Sequence, residues 1–449
     1  MCFGAERAWC GTSVINQRDD EEKADQIPIM DKIYSHATKA LVWLGEATDD
    51  IEQALGQFAS LRDRFQAVEG QITCASSHYT EVGLPEIQDP IWKHLSDFMY
   101  RSWFQRLWVL QEVILAKHII FVCGGQVLGF ELLRSLSHEI FRTGASGYVE
   151  LILHRPEDCR GFRTLIEVGT LRDEFSNLSL NPLYLLQSGR QYETREPVDR
   201  IYGLLGIMDK DIKQAVIADY SEEARDQYWR LYLLVGKPMI ELGYLDLLMF
   251  AETYQKHLQL PSWAPDWSNK LRTEELPKHF HAGISPENSH DVEDLLLERF
   301  SRTLVADYTQ MLSTTTGIFG YCKYPQDALE DYKYLRDCLL EWKKDGSGII
   351  LSQYHVEKHV AMYIKYIPST WANRSFFVTD SGHIGLCSQS CQVGDVVCIF
   401  LSLKHTYTIR KGPEEVTFKL IGPAYTDGVM YGEAIEGRDT SKDEIFIIS

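Results

Sequence analysis

The sequence predicts an α/β protein: a mostly parallel sheet with flanking helices, then a mainly helical region and a small C-terminal antiparallel β domain. Strand-like and helix-like segments alternate in the first third of the chain. Helical spacing of apolar residues dominates from about residue 130 to 267, and strand-like alternation with turn signals marks residues 375–448. We therefore predict domains at 1–129, 130–345 and 346–449.

The first predicted domain begins with a strand and a helix. Residues 12–16 read as a strand end, and a charged turn at residues 18–22 leads into a helix over residues 27–37. Residues 40–44 form a continuous apolar run that stops at Gly45, which is typical of a strand buried on both faces.

A helix over residues 102–113 carries the most informative side chains. Ser102 and Gln105 fit a capping box at its start, and Gln105, Trp108 and Glu112 follow at i, i+3 and i+7 on a narrow polar stripe. A partly desolvated carboxylate beside an indole favours substrate binding or general acid/base chemistry, because desolvation moves its pKa toward neutrality. The alternative is a solvated helix carboxylate. Residues 118–123 then form the next strand, which ends at a Gly-Gly pair.

The middle region is predicted to be helical. Asp199 and Arg200 precede a very apolar helix that ends at Gly206, and adjacent charges in that position favour a structural role. Residues 228–235 fit one face of a long helix, and residues 295–345 are again helical and charged.

Charge and composition exclude several classes of protein. The chain has 449 residues and a formal net charge of −19, and no basic cluster is evident, which argues against nucleic-acid binding and against acidic membranes. It has neither a long uncharged apolar run nor an apolar signal core near Met1, so we expect a cytoplasmic protein. The ten cysteines include no Cys-x-x-Cys unit, which favours reduced thiols.

Motifs for a metal or a bound cofactor are weak or missing. His355 and His359 are spaced i, i+4 without a third ligand, and Cys387 and Cys391 lack a second pair, so we expect no metal site. No phosphate loop, dinucleotide fingerprint or nucleophile elbow is present, which argues against kinases, nucleotide switches and hydrolases.

Several segments together resemble the fungal heterokaryon incompatibility (HET) domain proteins. The likeness covers most of the chain, and it implies a role in self/non-self recognition and in the cell death that follows fusion of genetically unlike hyphae. The segments that carry it are residues 15–17, 26–37, 42–45, 102–116, 199–206 and 219–221, with 394–395, 420–422 and 432–434 near the C-terminus.

Two departures from the HET pattern concern the N-terminus. Gly11 and Val14 stand where the family's Trp-Ile-Asp-Ala-Ile-Cys-Ile-Asn-Gln run has its aspartate and cysteine, and the family's preceding strand has no counterpart. Glycine in place of the aspartate removes a charge and weakens a strand. This pattern is expected of a truncated gene model or of a decayed, inactive paralogue.

The spacing of Trp108 and Glu112 is similar to the Trp-Cys-x-x-Glu helix of Toll/interleukin-1 receptor (TIR) domains, which implies an incomplete TIR-like or flavodoxin-like fold. The resemblance implies that Glu112 is catalytic in NAD cleavage and that Trp108 and Gln105 line the substrate site. Asn16 and Gln17 lie at the strand end where open α/β sheets bind ligands, although they could instead cap the following turn.

Two functions are thus consistent with the sequence. The first is a TIR-like effector that cleaves NAD, which would be a substrate and not a resident cofactor. The second is a non-enzymatic death-signalling module that forms a homo-oligomer or binds a protein partner.

Overall fold

The computed structural model describes residues 16, 18–70, 72, 76–86, 88–145, 160–178, 180–251, 259–268, 371–414, 416–436 and 438–449. The chain divides into two compact units, residues 1–231 and 232–449. The prediction of an α/β fold with a C-terminal antiparallel β domain is confirmed. The predicted strand at residues 12–16, the helix at 295–345 and the histidines at 355 and 359 fall largely or wholly outside the described residues.

The first unit is mainly helical around a small sheet. Its helices are α1 (Asp20–Gln26), α2 (Met30–His36), α3 (Asp49–Gly56), α4 (Phe58–Gln66), α5 (Ser76–Glu81), α6 (Pro90–Met99), α7 (Val109–Leu115), α8 (Phe130–Arg142), α9 (Arg160–Ser176), α10 (Pro182–Gly189), α11 (Asp199–Tyr202), α12 (Lys210–Ala215) and α13 (Glu222–Asp226). Short 3-10 turns cover Ile27–Ile29, Ser102–Gln105 and Leu205–Ile207. The strands are β1 (Ala40–Trp43), β2 (Ile119–Cys123) and β3 (Gln126–Gly129), in the order β1-β2-β3.

The predicted charged turn at residues 18–22 is wrong in part, because Asp20, Glu21 and Glu22 already belong to α1. Asp19 is the N-cap, and its carboxylate accepts a hydrogen bond of 3.0 Å from the Glu22 backbone N–H. The negative charges of three acidic residues in the first turn also interact favourably with the positive end of the helix dipole. Capping thus starts the helix earlier than its apolar spacing suggests.

The described sheet is mixed. β1 and β2 run parallel with Ala40 opposite Ile119, whereas β2 and β3 form an antiparallel hairpin. The hairpin follows from the Gly-Gly turn, since a two-residue connection can join only antiparallel strands. Gly124 adopts φ +55°, and a Cβ there would lie 2.3 Å from Oε1 of Glu52, so both the turn and its contact require glycine.

Among the described residues, one face of this sheet is buried and the other is largely exposed. Val42, Phe121 and Leu128 face the helices, whereas Leu41 is 65% exposed and Trp43 is 56% exposed. The prediction that this first strand is buried on both faces is therefore wrong. Alternate side chains of a strand point to opposite faces, and the helices of this unit cover one of them.

The second unit contains the predicted antiparallel domain. Its strands are β4 (Arg374–Val378), β5 (Ile384–Ser388), β6 (Val396–Ile399), β7 (Thr406–Lys411), β8 (Thr417–Thr426) and β9 (Ile447–Ile448). They form one six-stranded sheet in the order β4-β5-β8-β7-β6, and β9 pairs in parallel with β8. The division between the units falls within α14 (Tyr228–Glu241), and a 3-10 turn follows at Leu245–Phe250.

Candidate functional site

The predicted helix over residues 102–113 is broken in the structure. A 3-10 turn ends at Gln105, Arg106 is extended with φ −82° and ψ 136°, and α7 begins only at Val109. The break has a tertiary cause, because the backbone here pairs with Glu193. The N–H of Glu193 donates to the carbonyl of Gln105 at 2.6 Å, and the N–H of Leu107 donates to the carbonyl of Glu193 at 3.0 Å.

The break changes which indole meets the candidate carboxylate. Nε1–H of Trp103 donates a hydrogen bond of 3.1 Å to Oε2 of Glu112, and the Trp103 side chain is buried. Its ring packs edge-on against Phe104 and Phe121, with centroids 5.2 and 5.0 Å away. The predicted continuous stripe of Gln105, Trp108 and Glu112 is therefore wrong, since the chain does not keep helical phase across Arg106.

Burial and the neighbouring groups act on the pKa of Glu112 in opposite directions. Burial raises its pKa, while the charge of Arg106 and the hydrogen bond from Trp103 oppose that rise by stabilising the ionised form. The residue remains partly exposed. This combination of a desolvated carboxyl, a fixed donor and a nearby cation is suited to general acid/base work or to stabilising a developing positive charge.

The other predicted site residues lie in local structural roles. Trp108 is partly exposed at the N-cap of α7, and Nε2 of Gln105 donates to the carbonyl of Tyr100 at 3.1 Å. Oδ1 of Asn16 accepts from the N–H of Arg18 at 3.1 Å, which makes the capping turn that the sequence left open. Gln17 lies outside the described residues. Among the described residues, Glu112 is thus joined to Trp103 and Arg106, and to neither Gln105 nor Asn16.

A second polar cluster joins α1 to α13 and to Glu196. Nζ of Lys23 on α1 lies 2.7 Å from Asp20 and 3.7 Å from Glu196. Arg225 on α13 bonds to the same two carboxylates, with Nη2 2.5 Å from Asp20 and Nε 2.6 Å from Glu196. Hydrogen bonds from Arg225 and Lys23 lower the pKa of Asp20 to about 2. These pairs tie α1 to residues nearly two hundred positions later.

The same cluster continues into a buried carboxyl group. The Tyr220 hydroxyl donates to Oδ1 of Asp199 at 2.7 Å, and Nζ of Lys23 lies 4.3 Å from the centre of the Tyr220 ring. Burial raises the pKa of Asp199, and the hydrogen bond from Tyr220 opposes that rise. The neighbouring Arg200 donates to the carbonyls of Gly189 and Tyr192 at 2.7 and 2.6 Å. These contacts agree with the structural role predicted for the Asp-Arg pair.

Sequence reasoning missed Trp103 and Arg106 as partners of Glu112. Trp103 is buried, and a buried indole needs an acceptor for its N–H. That requirement was the available signal, since Glu112 is the nearest carboxylate along α7. No comparable signal pointed to Lys23 and Arg225, because their partners are remote in sequence.

The described residues hold neither a metal-binding cluster nor a membrane-spanning helix. In those ranges, no group of three or more His, Cys, Asp or Glu side chains is placed to hold a metal ion. Within the same ranges, no helix combines the length and apolar content that crossing a bilayer requires.

Comparison with known proteins identifies the family. The family model described as heterokaryon incompatibility protein (HET) matches residues 4–112, and the model described as Het-6 beta-barrel domain matches residues 292–448. The chain is a HET-domain protein. The match to the HET domain ends at Glu112, so the Asp199 cluster lies outside it.

A curated protein is also similar to this HET protein. It is the heterokaryon incompatibility protein 6, OR allele, of Neurospora crassa, 25% identical over 319 residues. The alignment covers 59% of this chain and 45% of the relative, so the chain spans less than half the length of that relative. No solved structure matches the chain.

Proposed function

We propose that this HET protein acts in fungal self/non-self recognition and the associated cell death, and that it does so in the cytoplasm by TIR-like cleavage of NAD at Glu112. The relative's name supports the incompatibility role. The single observation that supports the chemistry is the Glu112 carboxyl, desolvated yet partly exposed, with the Trp103 N–H donated to it.

The proposed reaction breaks the bond between nicotinamide N1 and ribose C1′. The electron pair leaves with nicotinamide, the oxygen of water bonds to C1′ to complete ADP-ribose, and one proton of that water passes to a base or to solvent. Ionised Glu112 stabilises the oxocarbenium-like charge at C1′ or accepts the proton of water. Trp103 fixes the carboxylate through its N–H, and the exposed side of Trp108 forms part of the pocket wall.

The proposal is tested with purified full-length protein incubated with NAD. We expect release of nicotinamide and ADP-ribose, measured by chromatography. Glu112→Gln should abolish release, because the amide keeps the size and the acceptor oxygen but loses the charge. Glu131→Gln is the matched control, since Glu131 is an exposed glutamate in the first turn of α8. Absence of release from folded wild-type protein between pH 5 and 9 would refute NAD cleavage.

The exposed sheet face favours a second candidate function, self-association with another copy of this chain. Leu41, Trp43 and Val127 are 65%, 56% and 63% exposed, and Ile120 and Val122 lie between them in the sheet register. All five side chains are apolar, whereas the chain as a whole carries a net charge of −19 that repels a second copy. An apolar face bordered by β1, an end strand among the described residues, is therefore where two copies would meet with least repulsion.

Sedimentation over a range of protein concentrations tests this second candidate. Wild-type protein should associate, and Trp43→Lys should remain monomeric because it places a charge on the apolar face. Ile217→Lys is the control, since Ile217 is 86% exposed and outside the sheet. A monomeric wild-type protein at every concentration, or equal association of both variants, would exclude self-association through this face.

A further inference from the structure

Two cysteine side chains meet in the C-terminal sheet. β5 contains Cys387 near its end, and the chain then turns so that the N–H of Cys391 donates to the carbonyl of Ser388 at 2.9 Å. This turn returns Cys391 toward Cys387, and the two thiols lie close enough for each to shift the pKa of the other. The Cys387 thiol also contacts the carbonyl of Ser375 at 3.6 Å, and the Cys391 thiol contacts the Thr408 hydroxyl at 3.3 Å.

The turn that holds this pair is itself fixed. Arg410 forms a two-point ion pair with Asp395, with N···O distances of 2.7 and 2.8 Å. Nη2 of Arg410 also donates to the carbonyl of Ser390 at 2.9 Å, and Asp395 accepts from the N–H of Gln392 at 2.8 Å. The residues on either side of Cys391 are therefore anchored to one ion pair, which fixes the turn that carries Cys391.

The two thiols differ in chemistry. Cys387 is buried, and its interaction with Cys391 together with burial raises the pKa of its thiol. Cys391 is partly exposed, and its pKa is lowered because the Cys387 thiol, the Thr408 hydrogen bond and the Arg410 charge stabilise its thiolate. Burial raises the pKa of the nearby Cys398 to about 12. The thiolate is the reactive form of cysteine, so Cys391 is the nucleophile of the three.

We propose that Cys391 and Cys387 form a reversible disulfide when the protein meets hydrogen peroxide. The Cys391 thiolate attacks one peroxide oxygen, the O–O bond breaks, and the sulfur becomes a sulfenic acid as hydroxide leaves and takes up the thiol proton. The Cys387 sulfur then attacks the sulfenic sulfur, the S–OH bond breaks, and the second hydroxide leaves with the Cys387 proton. Two thiols are oxidised, and one peroxide is reduced to two molecules of water.

A disulfide fits this pair better than a metal. Zinc needs four ligands, and in the described residues no third His, Cys, Asp or Glu completes a set with these sulfurs. Asp395 is committed to Arg410. A dithiol with one buried and one accessible sulfur is the usual arrangement of a peroxide-reactive cysteine with its resolving partner.

The sequence provides a direct assay. Trypsin cuts after Arg374 and Lys404, so Cys387, Cys391 and Cys398 lie on one peptide of residues 375–404. Reduced full-length protein is treated with peroxide, denatured in iodoacetamide and digested. We expect one label, on Cys398, with the other two cysteines joined, and three labels when dithiothreitol precedes labelling. Loss of the Cys391 thiol should be at least about ten-fold faster than loss of the Cys398 thiol.

Three variants separate the roles of the sulfurs. Cys387→Ser should stop the reaction at a Cys391 sulfenic acid that dimedone traps. Cys391→Ser should leave Cys387 reduced. The matched control Cys398→Ser should still form the disulfide and yield no label. Three labels on the peroxide-treated wild-type peptide, a link that involves Cys398, or a sulfinic acid on Cys391 beside a labelled Cys387 would each overturn the proposal.

Discussion

The Trp103 indole N–H reaches the Glu112 carboxylate across nine residues because the chain leaves helical geometry between them. In a continuous helix, nine residues make two and a half turns, which places two side chains on opposite faces and about 13 Å apart along the axis. The extended Arg106 removes that separation. A backbone bridge from Arg106 to Glu193 thus determines the surroundings of the candidate carboxylate.

Loss of the Trp103 N–H should raise the pKa of Glu112 further. Trp103→Phe keeps an aromatic ring in the core but removes the donor that stabilises the ionised carboxylate. The free energy of unfolding at pH 8 should fall by about 2 kcal/mol, the scale of a hydrogen bond to a charged group. Carboxyl-carbon NMR titration measures the pKa. Trp108→Phe is the control and should leave the pKa of Glu112 unchanged. An equal pKa shift in both variants would contradict the assignment of Trp103 as the hydrogen-bond donor to Glu112.

Glu112 should also give stability a pH dependence of defined sign. Its ordinary pKa is 4.5 and burial raises it in the folded protein, so above pH 4.5 the folded state binds more protons than the unfolded state. Stability therefore falls as pH rises from 4.5 through the folded pKa, with a slope of at most about 1.4 kcal/mol per pH unit. Glu112→Gln should remove this contribution.

Denaturant unfolding of both proteins between pH 4 and 9 measures that contribution. The difference between wild type and Glu112→Gln isolates this group from other carboxyls whose pKa burial also raises, such as Glu167 and Asp199. A difference that stays constant across the pH range would show that Glu112 ionises alike in the folded and unfolded states.

Gln111 is a site where an apolar side chain should stabilise the fold. The residue is 1% exposed, and neither side-chain amide atom has a hydrogen-bond partner among the described residues. Gln111→Met keeps the length but removes both buried polar atoms, so the free energy of unfolding should rise by about 1–3 kcal/mol. Thermal unfolding measures it. Gln105→Met is the control, because the Gln105 amide is partly exposed and hydrogen-bonded to Tyr100, and this variant should not be more stable than wild type. A lower melting temperature for Gln111→Met would contradict the burial argument.

Tyr220 should stabilise the fold mainly by holding Asp199. Tyr220→Phe removes the hydroxyl donor, leaves a buried carboxylate short of a partner, and should cost about 1–3 kcal/mol at neutral pH. The pKa of Asp199 should rise further, so the loss should shrink as pH falls and the carboxyl takes up its proton.

Tyr202→Phe is the matched control for that prediction. The two rings lie 5.4 Å apart, but the Tyr202 hydroxyl bonds to the backbone of Asp219 and not to a carboxylate. Its loss should be about 1 kcal/mol and independent of pH. Chemical unfolding at pH 4.5 and pH 7.5 distinguishes the two variants, and an identical pH response would count against the Asp199 assignment.

Local patterns predicted most of the fold. Helical spacing, proline and glycine positions and alternation identified the first apolar strand, the strand that ends in Gly-Gly, the helical middle and the C-terminal sheet, because each depends on neighbours within a few residues. The start of α1 was missed, since Asp19 capping and three acidic residues determine it more strongly than apolar spacing does. The boundaries at 129 and 345 remain predictions.

The sequence by itself determined the family, the order of α and β regions and the choice of Glu112 as candidate carboxylate, because motifs and periodicity are local properties. Only the tertiary structure decided what surrounds that carboxylate. A remote segment at Glu193 supplies backbone hydrogen bonds that break the helix at Arg106, and the break brings Trp103, rather than Trp108, to Glu112. Competition between local helix bonds and distant backbone partners is settled by packing, which spacing alone does not encode.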